Sequence, residues 1–407
     1  MKVIPETAES MERAPRPLPK IKIRIRTSSR RALNVGVIGG GIGGVAAGVA
    51  LHRAGIDVTV YERAVALREV GAGMMLWPNA TRVLNELGLL ERVAAVSGAS
   101  ERFLVRANSG RILMDIPLGR FEVPALCTRR ADLLDAMISA LPVRNVRLNH
   151  DFDFFERRKH SVAVHFAGGV SAEHDIVIGA DGIRSRIRSQ LLGTHDPIYR
   201  GYTVWRGLTR LPGTRPSGSN SETWGRGRRF GILNTGGDRF TWYATVNTEE
   251  DHIGSSDGTQ SELLKMFAGW HDPVERLIAA TPDGSVLMKG AYDLEPLKRW
   301  GYGRIMLLGD AAHPCTPNLG QGGCMALEDA LVLAKSLKNE ASPEVGLRRY
   351  ESMRRERTRH VQQRSLLMGH IGQWENRLIT GGREVVTSFL PARLFERNLR
   401  RVYSYAA

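Results

Sequence analysis

Three short runs in this 407-residue chain hold residue types that could do chemistry. The first is G-x-G-x-x-G, as Gly39, Gly41 and Gly44, with an acid, Glu62, roughly 20 residues on. The second is Asp181-Gly182. The third is Gly309-Asp310, followed by Gly320, Gln321, Gly322 and Gly323. In the first run one glycine permits a tight turn. One lets the backbone approach a pyrophosphate, and one lets a helix pack on a strand. Free N–H groups at the helix start attract phosphate. A carboxylate at Glu62 accepts hydrogen bonds from a ribose diol and disfavours a 2′-phosphate. The pattern therefore predicts the adenosine half of FAD or NAD rather than of NADP. A glycine turn with no ligand is the bland alternative, and the flanking strand patterns argue against it.

The elements that must position these residues follow from apolar patterning. Asn34 to Ile38 reads as a strand, the helix runs to about Ala54, and Asp57 to Tyr61 reads as the second strand. Ala80, Val83, Leu84 and Leu87 fall at helical spacing and stop near Gly88. Residues 101–127 alternate like strands, and Thr128 to Ala140 reads as a helix with Arg129, Arg130 and Asp132 in its first turn. A cation there opposes the helix dipole, which suggests a phosphate contact, with a surface arginine as the alternative. VRLNH and SVAVHF within 145–170 read as strands joined by a charged stretch. Asp175 to Ala180 is a buried strand leading into Asp181-Gly182 and a basic helix, Ile183 to Leu191. Residues 200–300 alternate with Gly/Asn/Asp turns, predicting a mostly antiparallel sheet interrupted by one helix, Ser261 to Trp270. Arg304 to Leu308 is a further buried strand. It feeds a proline-bearing loop and a second glycine–helix unit. From Pro343 onward the pattern is helical.

Composition bounds the class. Hydrophobic content of 42% fits a globular chain, and no fixed-period repeat is present. Cys127, Cys315 and Cys324 form no disulfide framework, which points to a reducing compartment, the cytoplasm. The apolar run Val35 to Leu51 is broken by seven glycines, so it is not a membrane span. The net charge is +15; residues 1–31 hold nine Lys/Arg against three Glu and contribute +6 of it. No nucleic-acid-reading module accompanies that charge, so a basic solvated surface is the preferred reading. Residues 1–33 show no core pattern and read as a disordered basic leader.

The three runs together, with GADGIRS at 179–185 and GDAAHPCTPNLGQGG at 309–323, resemble the FAD-dependent aromatic-ring monooxygenases of the para-hydroxybenzoate hydroxylase type. GQGGCMALEDA resembles the branch containing zeaxanthin epoxidases, urate hydroxylases and salicylate hydroxylases. The resemblance implies an α/β chain in which a FAD-binding Rossmann-like βαβ domain (34–105, 129–199 and 301–340) is interleaved with a mostly antiparallel β substrate domain (106–128 and 200–300). A C-terminal helical segment (341–407) follows. It also implies cofactor contacts from Gly39, Gly41, Gly43, Gly44, Glu62 and Arg63, and from Ala72 to Met75, which match the segment near the flavin. Arg130 matches the arginine of the R-x-x-L helix. Asp181 and Gly182 match the DG motif, and Asp310 the acid on the ribityl chain. Gly320, Gln321, Gly322, Gly323 and Cys324 match the loop at the flavin pyrimidine edge. Many members have Asn at the last position; the epoxidase-like branch shares the Cys.

Implied chemistry is reduction of FAD by NAD(P)H, addition of O₂ to give a flavin hydroperoxide, and oxygen transfer to an aromatic, heteroaromatic or polyene molecule. A helix N-terminus at Gly320–Gly323 suits the anionic edge of a reduced flavin. No second G-x-G-x-x-G follows a strand, so NAD(P)H is expected as a transient co-substrate without its own domain. An FAD-dependent reductase and a flavin-binding sensor without turnover remain alternatives. No catalytic residue is assigned; Arg206, in VWRGL, is a candidate to polarise a substrate oxygen, with a structural arginine as the alternative. His313 and Cys315 do not make a metal site, and Tyr202 and Trp205 read as packing residues. Arginines 383, 393, 397, 400 and 401 among Phe389, Leu390, Leu394, Phe395 and Val402 permit peripheral membrane contact. A helix packed on the FAD domain is preferred. Monomer and homodimer are both compatible with the sequence.

Overall fold

A computed structural model describes residues 33–67, 73–214, 218–250, 260–282, 284–389, 403 and 405. Strand Asn34–Ile38 lies mid-sheet because four of its five residues are buried apolar or glycine. It pairs in parallel with Asp57–Tyr61 on one side and Ile176–Gly179 on the other. Val146–Arg147 extends the sheet past the second strand, and Ile305–Leu307 extends it past Ile176–Gly179, both in parallel. Gly301–Tyr302 closes that edge antiparallel. Helix Ile42–Arg53 returns the chain between the first two strands and is buried along nearly its whole length. It packs against helix Gly322–Asn339, which is apolar enough to be buried on most sides.

A seven-stranded sheet forms the second layer. Its order is 287–293, 198–210, 239–247, 228–234, 219–224, 102–107 and 112–117. Every pairing is antiparallel except Ser219–Trp224 with Arg102–Ala107. One face packs on helices Gln260–Met266 and Val274–Ala279 around Trp205, Phe230, Trp242 and Phe267. The other face carries Tyr202, Val204, Arg206, Thr241 and Tyr243, by strand alternation. The Gly73 N–H donates to Thr241 Oγ1 at 2.9 Å, joining this face to a small sheet made of 73–76, 125–129 and 98–100.

The boundary expected at 105/106 falls inside strand Arg102–Ala107, which the seven-stranded sheet takes whole. The charged stretch of 151–160 is itself a strand, Phe152–Arg157, whose polar residues face out of a three-stranded sheet. Only Phe152 and Phe155 of it are buried, so no two-residue period marks it in the sequence. The helix expected from Thr128 begins at Arg130, because Ala125–Arg129 is a ladder strand. The one helix expected across 261–270 ends at Met266, and a second, Val274–Ala279, follows. Helices Pro343–Gly372 and Arg377–Phe389 finish the described C-terminal part. The expectations for residues 1–32, for Ala72 and for most of 390–407 lie outside the described residues.

Candidate functional site

The three glycines of the first turn do separable jobs. Gly39 has φ +111°, and a Cβ there would stand 2.3 Å from the Ala180 carbonyl oxygen. A Cβ on Gly44 would stand 1.8 Å from the Gly39 oxygen, so helix and strand touch through backbone. Gly41 differs: its φ is −72° and a Cβ there would meet nothing within 4 Å. The protein itself does not require glycine at 41; the space beside it is open. Helix Ile42–Arg53 starts at Gly41 with no side-chain cap and no acid in its first turn. Its N-terminal N–H groups are left for a ligand. Glu62 braces this loop, accepting from Gly40 N–H at 2.7 Å and from Ala64 N–H at 2.9 Å.

The second glycine–helix unit repeats the pattern. Gly309 (φ +61°) turns the chain out of strand Ile305–Leu307, and Gly320 (φ +60°) turns it towards helix Gly322–Asn339. Gln321 caps that helix through backbone only, and its first turn has no acid. Both helix starts open on one cleft. Gly39, Gly41, Gly43, Glu62, Arg63, Arg130, Asp181, Gly182, Asp310, Gly322 and Gly323 line it together. Gly44 sits one layer back, as its packing role requires. Asp181 accepts from Ser185 Oγ at 2.5 Å and Ile187 N–H at 3.1 Å; burial pushes its carboxyl up, against those hydrogen bonds. Arg129 is spent on Asp132 at 2.8 Å, while Arg130 lines the cleft.

Besides Gly44, four candidate residues are not on the cleft wall. Met75 is buried and pairs with Cys127 across the small sheet. Strand alternation turns its neighbour Met74 towards Gly323 instead; a Cβ on Gly323 would touch Met74 Cε at 2.5 Å. Cys324 Sγ turns inward, 3.6 Å from the Met75 and Gly320 carbonyl oxygens. Gly320 is beside Trp77. Gln321 is 1% exposed; its Oε1 accepts from Asn79 Nδ2 at 3.0 Å, and its Nε2 is a buried donor with no described partner.

Arg206 lies on the sheet face that meets strand Gly73–Leu76. Burial first, then the charge of Arg130, pushes its guanidinium below the ordinary range. Among the described residues no carboxylate pairs with it. Directly across the ladder stand Tyr243, then Gly231, then Glu222. Tyr243 donates to Glu222 Oε2, and burial followed by the Glu222 charge pushes its phenol well above the usual value.

A protein-family comparison matches residues 32–205 and 281–365 to a FAD binding domain. This chain belongs to that family. It is 37% identical to an aurachin C monooxygenase/isomerase of Stigmatella aurantiaca, over 91% of this chain and 98% of the relative. It is 34% identical to a 6-hydroxynicotinate 3-monooxygenase of Bordetella bronchiseptica, over 84% and 91%. Among solved structures it resembles Klebsiella pneumoniae HpxO complexed with FAD and uric acid. The TM-score is 0.82 and the identity 29%, over 90% of this chain and 95% of that one. The protein is an FAD-dependent monooxygenase.

The cleft of this monooxygenase suits FAD on its own chemistry. Two uncapped helix starts offer donors to anionic groups, and the open space at Gly41 is the cradle a Cβ would fill. Sequence reasoning missed what holds the second helix start. Asp329 accepts from Gly309 N–H at 3.0 Å, contacts His313 Nε2 at 2.5 Å and accepts from Arg354 Nε at 2.6 Å. Burial opposes the Asp329 charge, but His313 and Arg354 overcome it and hold the carboxyl well below the usual range. Glu328 accepts from Arg354, Arg357 and Asn79, and Asn79 reaches on to Gln321. Two acids in the apolar run MALEDALVLA are the signal that could have shown it. The described residues contain no His/Cys/Asp/Glu cluster able to hold a metal. No described helix is long and apolar enough to cross a membrane. A second cavity, of about 750 Å³, lies between the seven-stranded sheet and helix Pro343–Gly372, and Tyr202 and Asn318 form part of its lining.

Proposed function

We propose that this monooxygenase hydroxylates a small aromatic or heteroaromatic ring carrying an anionic or strongly electron-rich oxygen. The observation that supports it is Arg206: a largely buried cation with no described acid, on the sheet face beside Arg130 of the cofactor cleft. A buried unpaired cation is costly, and an anionic ligand relieves that cost. The substrates that relatives are named for, 6-hydroxynicotinate, urate and 3-amino-4-hydroxybenzoate, all carry such oxygens.

In this reading the N–H groups at Gly41–Gly44 hold the FAD pyrophosphate, Glu62 the adenosine ribose, and Arg130 and Asp310 the cofactor's middle. The Gly322–Gly323 N–H groups face the flavin's pyrimidine edge and favour negative charge there. FAD, when bound, supplies the redox and oxygen-activating chemistry. Arg206 favours the anionic form of the substrate oxygen and orients the ring. The sheet face keeps bulk water from the reacting atoms. NAD(P)H is a transient co-substrate, the chain acts in the cytoplasm as a monomer or homodimer, and the seven-stranded sheet is the substrate domain.

The test is aerobic NAD(P)H oxidation by the FAD-loaded protein with a panel of such rings under ¹⁸O₂. One ring is expected to stimulate oxidation and to gain one labelled oxygen atom. Stimulated oxidation with no label in any product would overturn the reading.

A further inference from the structure

The ladder register places four residues in one transverse row: Arg206, Tyr243, Gly231 and Glu222 on four successive strands. Directly opposed residues point to the same face. Gly231 is required by the row, because a Cβ there would stand 2.0 Å from the Tyr243 ring. The ring therefore lies over Gly231 and delivers its hydroxyl to Glu222.

The polarity of that hydroxyl is decided by Glu222. Its Oε1 accepts from Trp224 Nε1 at 2.6 Å and Arg229 Nη1 at 3.3 Å, and its Oε2 accepts from Tyr243. Indole and guanidinium are donors only, and a carboxylate is an acceptor only. Arg229 is itself fixed, donating to Gln373 Oε1 at 2.9 Å and Asn318 Oδ1 at 2.6 Å. Arg383 stands over the Trp224 ring at 5.1 Å, and Tyr202 and Cys127 complete the ionisable surroundings. Trp224, Arg229 and Arg383 offer no lone pair, and the Tyr243 hydroxyl gives its hydrogen to Glu222. The Tyr243 oxygen is left with lone pairs and no hydrogen to give.

We infer that Glu222 locks Tyr243 as a hydrogen-bond acceptor, so that the row selects a ring presenting an accepting or anionic oxygen to Arg206 and an N–H or O–H donor to Tyr243. Ring lactams and hydroxy-heteroarenes have that edge. Their N- or O-methylated derivatives do not. Tyr243 is then a specificity-determining residue, and Glu222 a positioning residue that acts through it. The inference rests on the reading that the Arg206 face receives the substrate.

The experiment titrates FAD-loaded protein with 6-hydroxynicotinate and 2-quinolone, each against its N-methyl derivative, and reads the flavin spectrum. Wild type is expected to favour the N–H member at least about tenfold, the scale of one buried hydrogen bond lost. Tyr243→Phe should abolish the preference. Glu222→Gln should abolish it too: Trp224 and Arg229 keep the amide oxygen, the amide NH₂ turns to Tyr243, and the freed phenol proton then opposes the lactam N–H. Flavin content and Tm report whether each variant folds; Tyr243→Phe keeps the ring and decides the matter if Glu222→Gln does not fold. An unchanged preference in Tyr243→Phe, or no preference or no binding in wild type, overturns the inference. Arg206→Gln separates the two levels. If it weakens binding while Tyr243→Phe changes no preference, the substrate-face reading stands and only the inference fails; if it weakens nothing, that reading fails as well.

Discussion

The cofactor cleft and the seven-stranded sheet are built from opposite materials. Around the cleft the decisive groups are backbone: two glycine turns and two helix starts, neither with a side-chain cap or a first-turn acid. On the sheet they are side chains, Arg206, Tyr243 and Glu222, brought into line by strands far apart in sequence. Backbone donors are fixed once the chain turns, so that side tolerates little change at the turn and much change beside it. The sheet row can be rewritten one side chain at a time without moving the strands. A family can thus share one cofactor site while its members differ in substrate.

That contrast breaks most sharply at the glycines. Gly44→Ala would put a Cβ 1.8 Å from the Gly39 oxygen. It is expected to cost about 4 kcal/mol or more and leave little folded holoprotein. Gly41→Ala meets no atom, so Tm should hold to within about 1 kcal/mol of stability while FAD affinity falls at least about tenfold. Thermal melts and FAD titration of the pair decide; a Gly41→Ala protein that binds FAD like wild type would refute the cradle.

Asp329→Asn tests the buried charges that hold up the backbone-built side. Removing one member of a buried ionic cluster is expected to cost about 3–5 kcal/mol. Because the folded Asp329 carboxyl lies below its unfolded value, its contribution is complete at neutral pH. It is lost as pH falls below about 4. Denaturant melts from pH 7 to 3 should therefore show wild type losing its advantage over Asp329→Asn on the acid side. A constant gap would contradict this.

Arg206→Gln should raise the dissociation constant of an anionic ring about 10–100-fold, leaving FAD binding unchanged. Stability should change by less than about 1 kcal/mol, since no described acid loses a partner. Equal loss of FAD would mean that the sheet row and the cleft are not separable.

Cys324 gives the smallest effect. It sits in the first turn of the second glycine helix, yet its side chain faces inward, and burial pushes its thiol up to about 12. A thiolate-selective reagent at pH 8 should leave it unlabelled until the protein unfolds. Cys324→Ala should bind FAD as wild type does. Rapid labelling in the native state would show that the side chain, not the backbone, meets the ligand.

How much was legible in advance follows the same division. The glycine turns, Glu62, the buried strands and the alternating 200–300 region could be read because each signal is local: a spacing, a period, a run. The Phe152–Arg157 strand was missed because its burial has no two-residue period, and the Val274–Ala279 helix because it is short. Met75 was read with its loop, but strand alternation turned it away and brought Met74 to Gly323. Arg206 was visible as a residue and not as a site, since nothing local says which face of a strand is covered.

By itself, then, the sequence determined the turns, the helix starts and the cofactor they serve, because a glycine's freedom and a helix end's unpaired N–H groups belong to a few consecutive residues. Only the tertiary structure decided that Glu222, Tyr243 and Arg206 share a row. The same holds for Asp329, which gathers Gly309, His313 and Arg354. Cross-strand register and burial are properties of segments meeting, and one residue of strand slip would have turned Glu222, Tyr243 or Arg206 to the other face.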